Sequence, residues 1–295
     1  MGGLLVVGQA TLDLVLAVEA LPQGGLKHTA QNAELVGGGM GANAAVAAAR
    51  LGGRVTFVTR LGRDMIGQAI AEELAAEGID TAQIRWSAGR SPVSSVAVDR
   101  AGERQLVNFR GADLAEAPGD LSALPLSIGA VLTDTRWPAG ARAALSFART
   151  RGIPGVIDAE PPFDPSLFAH ASHVAFSRPG LAEFAGTSDL AEGLRTAQGL
   201  PGWICVTDGA DGVWLGTGRR VPAPQVEVRD TLGAGDVWHG AFALALAEGQ
   251  DEERAVRFAN AAAALKCTGF GGRRAAPGRA ETDALLAVAP KGDCP

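Results

Sequence analysis

The stretch Asp230-Thr-Leu-Gly-Ala-Gly-Asp236, followed by Val-Trp-His-Gly-Ala-Phe242, holds the residues best spaced for chemistry. Its glycines let the chain turn sharply and present successive backbone N–H groups at the start of an apolar helix. Such a helix end is an anion site, because orphan donors and the helix dipole both favour negative charge. An aspartate just after the loop sits where a phosphoryl group would be held. Its carboxylate can take the proton of an attacking hydroxyl while the amides stabilise the transferring group. Gly-x-Gly-Asp alone also describes an ordinary glycine turn with a capping aspartate. The thirteen-residue string is far more specific.

The elements around this loop follow an alternating rhythm. An apolar run at 4–7, ended by Gly8, reads as a strand buried on both faces. Helix 41–51, strand 55–59 and helix 65–77 follow, the last closed by Gly78. The alternation resumes with strand 130–133, helix 139–151 and strands 155–158, 173–176 and 203–207. A strand at 226–228 is expected to lead into the loop, with helices at 237–248 and 252–267 beyond it. This pattern predicts a doubly wound, mainly parallel α/β sheet flanked by helices.

Two stretches depart from it. Residues 11–18 and 28–36 read as strands around the turn Pro22-Gln-Gly-Gly25, and 93–109 alternate about the turn Asp99-Arg-Ala-Gly102. Antiparallel strands inserted in such a chain predict a small β-sheet lid over a site. The expected division is a core of 1–10, 37–90 and 111–295 with a lid of 11–36 and 91–110.

The bulk numbers narrow the classes. With 26 Lys and Arg against 32 Asp and Glu, the net charge is −6 and no basic run exceeds a pair. That argues against a nucleic-acid face. The apolar start is too short for a signal peptide or membrane span. Cys205, Cys267 and Cys294 are odd in number and widely separated, which suits a reduced, cytoplasmic setting. His28, His170, His173 and His239 show no metal or triad spacing.

The signature above resembles that of PfkB (ribokinase-like) carbohydrate kinases. A second element, Gly37-Gly-Gly-Met-Gly-Ala-Asn43 through Leu51-Gly52, is similar to that family's N-terminal signature. The resemblance implies a ribokinase-like fold and ATP with Mg²⁺ as cofactors. It implies Asp236 as catalytic base and the amides of Gly233, Ala234 and Gly235 as anion hole. Asp13, Gly38, Gly39 and Asn43 match sugar-binding positions, and carboxylates, amides and glycines suit vicinal hydroxyls. Thr207, Gly209 and Gly212 match the nucleotide loop, and Asn260 lies where relatives line the adenine pocket. The family's Asn-x-x-Glu element is replaced by Ser177-Arg-Pro-Gly180, so no metal ligand is named.

Gly37-x-Gly39-x-x-Ala42 also satisfies a dinucleotide-binding pattern, the mark of an oxidoreductase. The polar residues before it, Gln31-Asn-Ala-Glu34, are not the buried strand that motif requires. A catalytically silent sugar-binding module would have no need of Asp236.

Within the family, several segments look most similar to 6-deoxy-6-sulfofructose kinases. They are Lys27, Val107-Asn108-Phe109, Asp134-Thr-Arg136-Trp137, residues 175–181 and the stretch from Ala264 to Arg273. Lys27 and Asn108 lie in the lid and Arg136 follows a core strand, where open α/β sheets bind ligands. A cation, an amide and a guanidinium suit an anionic head group. Lys27 and Arg136 read equally well as surface charges. The implied acceptor is C1 of sulfofructose, with fructose 6-phosphate, fructose, ribose and 2-keto-3-deoxygluconate as alternatives. The lid's strand edges imply a homodimer through paired lids.

Overall fold

The structure, a computed structural model, describes residues 2–288; Cys294 lies outside them. In chain order the strands are β1 (Gly3–Val7), β2 (Thr11–Ala17), β3 (Asn32–Gly38), β4 (Val55–Val58), β5 (Arg60–Gly62), β6 (Arg85–Ser87), β7 (Val93–Val98) and β8 (Arg104–Phe109). They continue as β9 (Ile128–Thr133), β10 (Gly155–Ala159), β11 (His173–Ser177), β12 (Trp203–Thr207), β13 (Val213–Leu215) and β14 (Arg220–Val221). The helices are α1 (Met40–Arg50), α2 (Met65–Ala76), α3 (Pro138–Arg151), α4 (Arg178–Ala185), α5 (Leu190–Ala197), α6 (Ala234–Ala247), α7 (Glu252–Cys267) and α8 (Arg279–Val288).

The main sheet runs β14-β13-β12-β11-β10-β9-β1-β4, parallel from β12 to β4. β1, the run Gly-Leu-Leu-Val-Val, is buried at every position, as expected of a central parallel strand. Helices α1, α6 and α7 cover one face through Val46, Phe242 and Phe258, while α3, α4 and α5 cover the other through Leu145, Leu181 and Leu194. The layers match the expected α/β architecture. The antiparallel β13 and β14 at one edge, and helices α4 and α5, were not foreseen.

A separate sheet, β3-β2-β7-β8, forms the lid. Its central pair, β2 with β7, is parallel rather than antiparallel, because β2 and β7 come from distant insertions and not from one hairpin. β3 starts at Asn32 and runs on through Gly38, so the first glycines of the N-terminal signature belong to a lid strand.

The strand expected at 226–228 is absent. Those residues lack a partner strand and Val228 is exposed. The chain is held instead at the C-terminal end of α7, where the amides of Arg229 and Asp230 both donate to the Cys267 carbonyl, at 2.8 and 3.2 Å. Among the described residues no helix is long and apolar enough to cross a membrane.

Candidate active site

Asp236 lies in the first turn of α6, a helix whose residues from Val237 to Ala247 are all buried. Gly233 precedes the helix at φ 75°, a left-handed conformation that glycine adopts freely. No side chain caps this end, and the first intrahelical bond runs from the Val237 N–H to the Gly233 carbonyl. The Ala234 amide is engaged in a turn with the Thr231 carbonyl at 3.1 Å, so Gly233 and Gly235 are the better placed of the three expected donors. The space beside Gly235 is open, as an incoming phosphoryl group requires.

The Asp236 carboxylate accepts a 2.7 Å hydrogen bond from Asn43 Nδ2 on α1. Burial, reinforced by the nearby Asp158 carboxyl, pushes its pKa up to about 7; the Asn43 bond and His239 only partly offset this. A carboxylate poised there suits a general base at neutral pH. His239, one turn further along α6, donates from Nδ1 to the Gly235 carbonyl at 2.8 Å and lies 3.4 Å from Asp158 Oδ2. Burial lowers the His239 pKa and pushes that of Asp158, at the end of β10, well above the usual carboxylate range.

Of the sugar-binding candidates, Asp13, Gly38 and Gly39 lie together where the lid meets the start of α1, while Lys27 and Arg136 form no hydrogen bond or ion pair with them among the described residues. Asp13 accepts from Thr11 Oγ1 at 2.9 Å, and a Cβ on Gly38 would stand 2.1 Å from the Asp13 carboxylate. Gly39 is the N-cap of α1, the helix that carries Asn43. Register places Asp13 opposite Ser94, and Ser94 opposite Asn108, so these three side chains share one lid face. Arg104 is on that face too, and it reaches Asp230 of the core at 2.8 Å. The face carrying Asp13 and Asn108 therefore looks down into the cleft. Lys27 lies exposed in the segment between β2 and β3. The Arg136 guanidinium donates to the carbonyls of Pro161 and Pro162 at 2.7 and 3.2 Å, which fixes it beyond β9.

Three residues organise the site without having been assigned a part in it. Buried Asp134 accepts from the amides of Gln9, Gly41 and Arg136 at 2.7, 3.0 and 2.9 Å, pinning the end of β1 to the start of α1. Arg273, 4% exposed, pairs with Glu73 at 2.9 Å and reaches Asn43 Oδ1 at 3.5 Å, behind the base. Asp230 accepts from the amides of Leu232, Gly271 and Gly272 and from Lys266. Burial raises the Asp230 pKa, but the amides and the Lys266 ammonium outweigh it and hold the carboxyl far below its ordinary value.

Of the residues expected to meet the nucleotide, Thr207 ends β12 and Gly209 faces open space. Gly212 is packed against the Val221 carbonyl and shapes the turn into β13. Asn260 is buried behind the wall: its amide donates to the carbonyls of Val221 and Pro222, and its oxygen accepts from Trp238 Nε1. It thus fixes the wall rather than lining it. Ser177 caps α4 through the Gly180 amide, and Arg178 pairs with Asp208. Among the described residues no group of three His, Cys, Asp or Glu side chains forms a metal cage. Mg²⁺ that accompanies ATP takes phosphate and water ligands and would neutralise phosphate charge.

A buried carboxylate in the first turn of a helix, beside an uncapped glycine loop and with a separate small sheet in the same fold, suits an α/β kinase acting on a hydroxyl. Residues 1–279 match the pfkB family of carbohydrate kinases. The chain belongs to that family, and is a carbohydrate kinase, a phosphotransferase with an alcohol group as acceptor. It is 32% identical to a ribokinase of Bacillus subtilis, over 97% of this chain and 100% of that one. A ribokinase of Haemophilus influenzae is 30% identical over 95% of this chain and 96% of its own. The structure of Arabidopsis thaliana ribokinase complexed with ribose and ATP superimposes with a TM-score of 0.86 at 26% identity, covering 98% and 99% of the two chains.

Proposed function

We propose that this kinase transfers the γ-phosphoryl of ATP to a primary hydroxyl of an anionic ketose, with C1 of 6-deoxy-6-sulfofructose as the candidate. Asp236 accepts the proton of that hydroxyl as its oxygen attacks phosphorus, and the loop amides receive the developing negative charge. Asn43, held by Arg273, keeps the carboxylate aimed. The observation that carries the head-group reading is the lid register. It puts the Asn108 amide on the same cleft-facing side as Asp13. Arg136 beyond β9 and Lys27 in the lid segment supply positive charge for an oxyanion.

Ribose is a second reading, favoured by the ribokinases among the relatives. ATP turnover with sulfofructose, fructose 6-phosphate, fructose, ribose and 2-keto-3-deoxygluconate separates the two. A charge-assisted contact contributes roughly 1.5–3 kcal/mol, so Arg136→Ala should weaken use of an anionic acceptor by about ten- to a hundred-fold. Equal or better turnover of ribose by the parent enzyme ends the head-group reading and returns Lys27 and Arg136 to the surface. The exposed Leu35 and Val107, on the lid face turned away from Asp13 and Asn108, support pairing of two lids into a homodimer.

A further inference from the structure

Lys266, in the last turn of α7, is 0% exposed. An ammonium so placed has lost its hydration, at a cost of several kcal/mol, and only close oxygens can offset that. Both of the oxygens it meets belong to Asp230. Nζ donates to the Asp230 main-chain carbonyl at 2.6 Å and lies 3.2 Å from its Oδ2. The same carboxylate accepts from the Leu232 amide at 2.9 Å and from Gly271 and Gly272 at 3.1 Å each. Arg104 of the lid reaches its other side. Asp230 thus ties together the start of the catalytic loop, the segment after α7 and the lid, and Lys266 is the part of that knot that lies wholly inside the protein.

Stability alone does not explain an ion here, since a buried ion pair contributes no more than an apolar pair of the same volume. Phosphoryl chemistry gives a reason. Asp230 carries a full negative charge six residues before the catalytic base, beside a loop that must receive a polyphosphate. An uncompensated carboxylate there would repel ATP and leave the loop free to shift. We infer that Lys266 is a positioning residue for phosphoryl transfer: its ammonium acts as a tethered monovalent cation that cancels the Asp230 charge and fixes the anion-hole loop.

The test follows from removing the tether, using whichever sugar the parent enzyme phosphorylates, so that it does not depend on the identity of the acceptor. Lys266→Ala opens a space beside two Asp230 oxygens. Its kcat should fall about a hundred-fold, the cost of a loop displaced by an ångström, while the sugar KM stays within about three-fold. Ammonium or potassium ions, substituted for tetramethylammonium at constant ionic strength, should restore at least about ten-fold of the loss, because a small cation refills the space. The parent enzyme should be indifferent to the same exchange of salts. A kcat within about three-fold of the parent, or a loss that no small cation repairs, overturns the assignment. If Lys266→Ala does not fold, the parent alone decides. Equal rates in potassium and tetramethylammonium salts support the tethered charge, and a marked requirement for added potassium overturns it.

Discussion

Asp230 and Asp236 bracket one loop, and burial pushes both carboxyls upward, yet only Asp236 stays raised. Asp236 meets one amide donor, from Asn43, and a second buried acid, Asp158. Asp230 meets backbone amides, an ammonium and a guanidinium. The difference teaches that donors rather than burial decide the charge state. One end of the loop is a base ready to gain a proton. The other is a permanent anion that serves as an anchor.

The most severe way to break this contrast is Asp236→Asn, which keeps the shape and removes the base. Turnover should fall about 10²–10⁴-fold with the fold and sugar binding intact. A variant within a few-fold of parental kcat would take Asp236 out of its role. The same change carries a stability signature of known sign. The Asp236 carboxyl prefers its proton in the folded state, so its contribution is full below about pH 4 and is lost as pH rises through about 7. The asparagine variant escapes that loss. It should therefore melt higher than the parent at pH 8 and show no such advantage at pH 4; equal melting shifts at both would contradict the raised pKa.

Asp230→Asn should act in the opposite direction. Its carboxylate is ionised far more readily in the folded state, so its stabilisation is present above the unfolded value near pH 4 and lost as pH falls below it. Neutralising it leaves Lys266 buried without a counter-charge, at a cost of roughly 3–5 kcal/mol near neutral pH. Thermal melting at pH 7 should show a large drop that shrinks towards pH 3. No drop at pH 7 would mean that the Lys266 pair is immaterial.

The mildest change sharpens the comparison. Asp158→Asn removes the second buried acid, whose ionisation competes with that of Asp236 and raises its pKa, so the rise of kcat/KM with pH should move to lower pH by about one unit or less. A profile displaced upwards would show that Asp158 does not act on Asp236 through charge.

Sequence alone made the loop and Asp236 legible because their signal is local: glycines, an aspartate and an apolar helix within thirteen residues. Asp13 came from the family resemblance, and the alternation of residues 11–18 showed only that it lies on a strand. The supports were not legible, since each is defined by partners far along the chain. Arg273 meets Asn43 across 230 residues, and Asp134 meets Gly41 across 93. A single lysine within the otherwise apolar run from Ala261 to Cys267 was the available sign of a buried charge. The strand expected at 226–228 failed for a related reason: a short apolar pattern cannot reveal whether a partner strand lies beside it.

The helix that carries Asp236 runs through the middle of the core, with every residue from Val237 to Ala247 buried. The outer lid strands are exposed along residues 32–35 and 104–108. A substitution in α6 disturbs packing on all sides at once, whereas one on the lid alters a single contact above the cleft. Descent with change of diet therefore has an easy route in this molecule. The acceptor can drift through the roof while the chemistry below is inherited unaltered.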